Sequence, residues 1–140
     1  MKPTELMIGD WVNVKTTNRD TRKEETKPGR IVEISPYFKN AGIAFDINDF
    51  KRHYGFNQPL ASLAPIPLTG EVLERNGFKK SEVFDEWKYE ENDVSIQWKP
   101  YPLLFLQIET EDARLSIDCG HVHELQHALQ LCGVERELEL

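Results

Sequence analysis

The sequence predicts an α+β protein built from two small subdomains, residues 1–66 and 67–140. Two prolines in the stretch 64–68 impose an extended connector between the subdomains. Short segments rich in Val and Ile fill the first part, whereas alternating apolar residues and two helical segments fill the second. Charge changes at the same point, because residues 1–66 hold 10 Lys/Arg against 8 Asp/Glu and residues 67–140 hold 7 against 16.

Residues 1–66 predict a small, curled β-barrel. Gly9-Asp10 is a turn, and the strand-forming residues Trp11, Val12 and Val14 follow it. The polar stretch 15–27 is expected to be the tip of a long hairpin. Further strands are predicted at 30–34, 42–47 and 60–66. Several short strands with no long helix are typical of such a barrel.

Residues 67–140 predict a helix, a four-stranded antiparallel meander and a second helix. The first helix starts after Thr69, a good N-cap, and ends at Asn76-Gly77. Alternating apolar residues then predict strands around 87–89, 94–98, 104–108 and 115–119, with a turn at Asn92-Asp93. The second helix is predicted at 121–131 and the tail 134–140 as an edge strand.

Composition excludes several classes of protein. The chain has 140 residues, 39% of them hydrophobic, and a net charge of -7, which excludes a generic charge-driven binder of DNA or anionic membranes. No apolar targeting segment is found near Met1 and no apolar run could span a bilayer, so a cytoplasmic protein is expected. Cys119 and Cys132 are expected to be reduced and buried.

The sharpest chemical motif is His123-Glu124-Leu125-Gln126-His127, an H-E-x-x-H pattern on the second predicted helix. Histidines four residues apart share a helix face and can bind one zinc ion. The glutamate between them can then act as general base on the metal-bound water. The pattern therefore predicts, as one alternative, a zinc-dependent hydrolase.

Two observations weigh against this hydrolase. A catalytic zinc needs a third protein ligand, and Gln130 and Gly133 stand where the extended motif has Gly and His. Helical phase also places His123 and His127 opposite the apolar arc, so both are expected to face water. The pattern is thus interpreted as the polar face of a core helix. No metal ligand, cofactor or catalytic residue is assigned, and His121 or a second subunit would have to complete the zinc site.

A weaker alternative is an RNA- or single-stranded DNA-binding module. The polar stretch 15–27 contains several cations, and the same half of the chain contains aromatic residues that can stack on bases. These aromatic residues are Tyr37, Phe38, Phe50, Tyr54 and Phe56. The mixed charge of the stretch gives little net field, which favours a solvated loop above an aromatic core.

Two resemblances add to these inferences. The stretches Gly9-Asp10-Trp11-Val12-Asn13-Val14 and Pro28-Gly29-Arg30-Ile31-Val32-Glu33-Ile34 resemble the opening hairpin of SH3-like barrels, including KOW-type modules. The whole chain resembles an uncharacterised group of small Bacteroidales proteins, often encoded in prophages or mobile elements. The blocks that carry this resemblance lie at 2–6, 8–12, 66–69, 76–78 and 123–129. The first resemblance implies an SH3-like barrel at 1–66 that binds a partner. The second implies no activity.

Together these observations predict a non-enzymatic interaction or adaptor module, associated with phage or mobile elements. No complete set of catalytic residues is found, so the chain is not predicted to be an enzyme. A protein partner is favoured over nucleic acid, and no membrane partner is expected. The sequence leaves the oligomeric state open.

Overall fold

Ten strands in two antiparallel sheets and three helices form the described part of the chain, which confirms the mixed α+β class. The computed structural model describes residues 1–101 and 103–140. Within this part of the chain, no helix combines the length and apolar character that crossing a membrane requires. The chain divides into two compact units, Met1–Ile66 and Pro67–Leu140.

The first unit is a five-stranded sheet with one short helix. Its elements are β1 (Trp11–Thr17), β2 (Glu24–Ser35), β3 (Asn40–Ala44), α1 (Ile47–Lys51), β4 (Phe56–Pro59) and β5 (Leu63–Pro65). The strand order is β4-β3-β2-β1-β5, so β4 and β5 are the two edges. The predicted SH3-like barrel is therefore not confirmed, because this sheet does not close within the described residues. Helix α1 and strand β4 were not expected from the sequence.

The core of this unit comes from alternate residues of the strands and from the segments that flank them. It contains Leu6, Val12, Val14, Ile31, Ala41, Ile43, Leu60 and Leu63. Alternation along a strand sends these side chains to one face of the sheet. The prediction that 15–27 is a hairpin tip was wrong in extent. Strands β1 and β2 continue as a polar ribbon, Thr17 pairs with Glu24, and only residues 18–23 form the turn.

A buried arginine joins the opening turn of this unit to α1. Arg30 is 8% exposed, and its Nε donates a hydrogen bond of 3.2 Å to the Gly9 carbonyl oxygen. Its guanidinium carbon lies 3.6 Å from the centre of the Phe50 ring and 5.6 Å from that of Trp11. An arginine can be buried in this way because its aliphatic stem packs while its charge faces a carbonyl oxygen and aromatic rings.

The second unit contains the predicted four-stranded meander and two helices. Its elements are α2 (Gly70–Arg75), β6 (Lys79–Lys80), β7 (Trp87–Glu91), β8 (Val94–Lys99), β9 (Phe105–Glu109), β10 (Arg114–Asp118) and α3 (Val122–Leu131). The strands lie in the order β10-β9-β8-β7-β6, so β6 adds a short fifth strand at one edge. Among the described strands, the antiparallel pairing of β7 to β10 follows the chain order.

Local signals in the sequence fix the ends of these elements. The Thr69 hydroxyl accepts a hydrogen bond from the Val72 N–H, as expected of an N-cap. Gly77 follows α2 with a φ of 87°, which a glycine adopts without a steric penalty. Asn92 and Asp93 have φ values of 46° and 65°, as in the turns that best match the twist of a hairpin.

Two tryptophans connect the sheet of this unit to its helical segments. Trp87 and Trp98 face each other across β7 and β8, with ring centres 5.4 Å apart. The Trp98 indole N–H donates to the carbonyl oxygen of Cys119, just before α3, at 2.8 Å. The Trp87 ring packs so closely against Gly70 that a Cβ at this position would clash with it. Both large side chains are therefore fixed by packing and by polar contacts.

The tail after α3 is held by a buried asparagine. The predicted edge strand at 134–140 was wrong, since the tail forms no strand. Instead, the Asn76 amide donates to Glu139 O at 2.7 Å and accepts from Glu139 N at 2.8 Å. It also donates to Val72 O at 2.7 Å, on the last turn of α2. The tail buries Val134 and Leu138, so side-chain packing takes the place of strand pairing.

We expect Asn76→Ala to lower the free energy of unfolding of the second unit by about 2 to 3 kcal/mol, because buried backbone groups lose their hydrogen-bond partners. Urea denaturation followed by tryptophan fluorescence measures this change. Gln130→Ala, an exposed change on α3, is the matched control and should have little effect. Equal stability of the Asn76→Ala and Gln130→Ala variants would contradict this role of Asn76.

Candidate functional site

The glutamate of the H-E-x-x-H pattern caps its own helix. His121 is the N-cap of α3, so Glu124 occupies the third helical position. Its Oε2 accepts hydrogen bonds from the N–H groups of Gly120 at 2.8 Å and His121 at 2.9 Å. The same oxygen lies 3.3 Å from Nδ1 of His121. The carboxylate therefore caps the start of the helix, where it accepts hydrogen bonds from backbone N–H groups that have no partner within the helix.

The sequence had suggested that both histidines of the pattern face water, but the structure buries one of them. His123 is only 6% exposed, and that prediction was wrong for this residue. The His123 ring lies 5.8 Å from that of His121 in a stacked arrangement and 5.7 Å from that of His127 in an edge-on one. These flanking imidazole rings cover part of His123, a contact that a helical projection of α3 alone does not contain.

The described residues contain no group of three or more His, Cys, Asp and Glu side chains arranged to hold a metal ion. Both cysteines are free thiols, and Cys119 is buried as expected, whereas Cys132 is half-buried. Burial, together with the nearby charge of Glu124, raises the pKa of Cys119 to about 12. Burial also raises the pKa of Cys132. Thiols with raised pKa values are poor nucleophiles and poor metal ligands at neutral pH.

The titration of Glu124 reflects its capping role. Burial raises the pKa of this carboxyl group, but hydrogen bonds from Gly120 N–H, His121 Nδ1 and His121 N–H outweigh burial. The pKa of Glu124 is therefore lowered from its ordinary value of 4.5. A carboxyl group whose pKa is lowered in the folded state stabilises the fold at pH values above its ordinary pKa. This contribution disappears as the pH falls through the folded-state pKa.

We expect Glu124→Gln to lower the free energy of unfolding by about 0.5 to 1 kcal/mol at neutral pH, because a negative charge at a helix start is lost. The difference from the unchanged chain should shrink as the pH falls below 4.5, the ordinary pKa of the group. Urea denaturation at several pH values checks this. The exposed Glu135→Gln serves as control, and a difference that does not depend on pH would refute the capping role.

The structure brings together only part of the predicted nucleic-acid site. The turn at 18–23 precedes β2, whereas Tyr37 and Phe38 follow it, so they lie at opposite ends of this long strand. Phe50 packs under the Arg30 guanidinium, and Phe56 packs against Phe45 with ring centres 6.0 Å apart. Arg19 and Lys27 nevertheless line a surface depression together with Phe45. Tyr54 packs against Phe56 with ring centres 5.6 Å apart. Only part of the predicted set of cations and aromatic residues is therefore brought together.

A surface that the sequence did not predict lies at one end of the second sheet. Trp87 at the start of β7 pairs with Trp98 near the end of β8, so the connections β6–β7 and β8–β9 leave the sheet at the same end. Lys99 Nζ lies 3.9 Å from Glu86 Oε1 and links the bases of both connections. These connections expose large apolar side chains, which we call the apolar end patch: Val83, Phe84, Tyr101, Leu103 and Leu104.

The exposure of this patch is large for apolar side chains. Phe84 is 65% exposed, Tyr101 82% and Leu103 71%. Single exposed apolar residues are common, but a group of them bordered by charges is typical of a binding surface. The border is formed by the ion pairs Lys80–Asp85 at 3.7 Å and Lys99–Glu86. The sequence signal was the apolar content of turn segments, which are usually polar.

Leu104 fixes the patch to the rest of the unit. Its carbonyl oxygen accepts a hydrogen bond of 3.1 Å from Cys119 N–H, and its side chain lies over Gly120. The patch therefore rests on the segment between β10 and α3.

No known family model, curated protein or solved structure matches the chain.

Proposed function

We propose that this chain is a non-enzymatic protein-interaction module that binds its partner through the apolar end patch. The observation that carries the proposal is the grouping of exposed Phe84, Tyr101 and Leu103 at one end of one sheet. Burying such side chains contributes about 25 cal/mol per Å² of apolar surface, and aromatic residues are the commonest anchors of protein interfaces.

The net charge of the second unit favours a basic partner. The unit carries 16 Asp/Glu against 7 Lys/Arg. A net negative charge attracts basic groups and repels the phosphates of nucleic acids. The partner surface that fits is therefore an apolar group of side chains bordered by Lys or Arg. Aliphatic Val83 and Leu103 also suit a protein surface better than the flat faces of bases.

The zinc-dependent hydrolase and the RNA-binding module stay predictions. The carboxylate that the hydrolase would use as its base is bound to backbone N–H groups. Of the aromatic residues predicted for an RNA site, Tyr37 and Phe38 lie at the other end of β2 from the cations of the turn. Association with phage or mobile elements likewise stays a prediction from the resemblance.

Selection of random peptides displayed on a surface against the immobilised full chain tests the proposal. We expect the selected peptides to combine apolar residues with Lys or Arg. Their affinity should fall about tenfold or more in the double variant Phe84→Asp/Leu103→Asp, because two central anchors are lost. Fluorescence anisotropy with labelled peptides measures the affinities.

Tyr37→Asp/Phe38→Asp is the matched control, since it places the same new charges on an exposed aromatic pair of the first unit. Peptide binding should be unchanged in this control. Peptides that bind both double variants equally well, or that are acidic, would refute the proposed surface. Hydrolysis of any substrate that is lost in Glu124→Gln would refute the non-enzymatic character.

A further inference from the structure

The four sheet edges of the described residues differ in how well they are protected against further pairing. Strand β4 ends in Pro59, β5 has only three residues and ends in Pro65, and β6 has two residues, both lysine. Prolines, lysines and short length are the usual means of blocking an edge. Strand β10 has five residues without proline or lysine, and it pairs with β9 in a regular register.

The register shows which backbone groups β10 presents to its outer side. Cys119 N–H donates to Leu104 O at 3.1 Å, and Thr110 N–H donates to Ala113 O at 2.9 Å. In an antiparallel pair, hydrogen-bonded positions alternate, so odd-numbered residues from 113 to 119 bond toward β9. The N–H and C=O groups of Arg114, Ser116 and Asp118 therefore point away from the sheet.

The side chains of β10 also alternate. Leu115 pairs with buried Ile108, and Ile117 pairs with buried Leu106, so both lie on the apolar face of the sheet. Leu115 is nevertheless 51% exposed. Ile117 is half-buried. The apolar face of the sheet thus continues onto β10, where it is only partly covered.

We propose that β10 pairs with β10 of a second copy of this chain, antiparallel and centred on Ser116. In this register Arg114 lies opposite Asp118 of the second copy, and the reverse pair forms on the other side of the axis. Leu115 lies opposite Ile117 of the second copy on the apolar face. Each outward-pointing residue both donates and accepts a backbone hydrogen bond. The strand is therefore complementary to itself in charge, in apolar side chains and in backbone groups.

The existing contacts of Arg114 fit this arrangement. Its Nη2 already lies 2.7 Å from Glu109 Oε1 across β9 and β10. A guanidinium group has five donors, so Arg114 can bond to Glu109 and to Asp118 of the second copy together. Pairing at this edge joins the two five-stranded sheets into one and removes the unprotected edge of both.

Sedimentation velocity of the full chain, from low micromolar to submillimolar concentration, tests the proposal. The runs use physiological salt, where the net charge of -7 on each copy is screened beyond about 8 Å. We expect a species of twice the chain mass. Arg114→Asp and Asp118→Arg should each weaken the dimer about tenfold or more, because like charges then face each other.

Mixing the two variants separates complementarity from loss of folding. An Arg114→Asp chain and an Asp118→Arg chain place opposite charges at both positions, so an equimolar mixture should form the dimer again. The control Arg19→Asp changes the net charge equally on an exposed turn and should dimerise like the unchanged chain. Phe84→Asp/Leu103→Asp should also dimerise normally, which keeps this edge distinct from the apolar end patch.

Three results would overturn the proposal. The first is that the unchanged chain stays monomeric at every concentration, even if its β10 edge binds an unrelated peptide strand. The second is a dimer that tolerates both single variants. The third is a mixture of the two variants that remains monomeric.

Discussion

The contact between Trp87 and Trp98 is the interaction on which the second unit depends. It joins β7 to β8, brings α2 against the sheet through Gly70, and fixes the start of α3 through the hydrogen bond from Trp98 to Cys119. The same pair stands at the end of the sheet from which two connections leave. The apolar end patch therefore adjoins two buried and mutually packed tryptophans. Binding residues on such a support need little reordering when a partner arrives.

The short helices set the second constraint. A sheet with one apolar face needs a covering layer, and α2 and α3 supply only six and ten residues. They suffice to bury Ile96 and Leu106 on the inner strands fully, but Leu115 on β10 remains half exposed. Coverage therefore ends one strand before the sheet does. The partially covered edge strand is a consequence of this shortage. Like the apolar end patch, it is a surface on which association removes apolar area from water.

Local signals in the sequence predicted much of the second unit and less of the first. Thr69, Gly77 and the Asn92-Asp93 turn determine their own conformation, so their elements were found. Whether the first sheet closes into a barrel depends on long-range pairing of its edge strands, which no local signal encodes. The burial of His123 was missed for a similar reason, because it arises from neighbouring rings and not from its position on a helical projection. The apolar end patch was missed because apolar residues are assigned to the core by default.

The H-E-x-x-H pattern shows how helix position decides what a motif does. A glutamate in the middle of a helix finds all nearby N–H groups bonded within the helix, so its carboxylate is available to a metal-bound water. At the third position it can turn back to the open N–H groups of the first turn. Because α3 begins at Val122, Glu124 falls at that position, and Gly120 and His121 supply the donors. The spacing of His121 and Glu124, one N-cap and one third residue, was therefore the more informative pattern in the sequence.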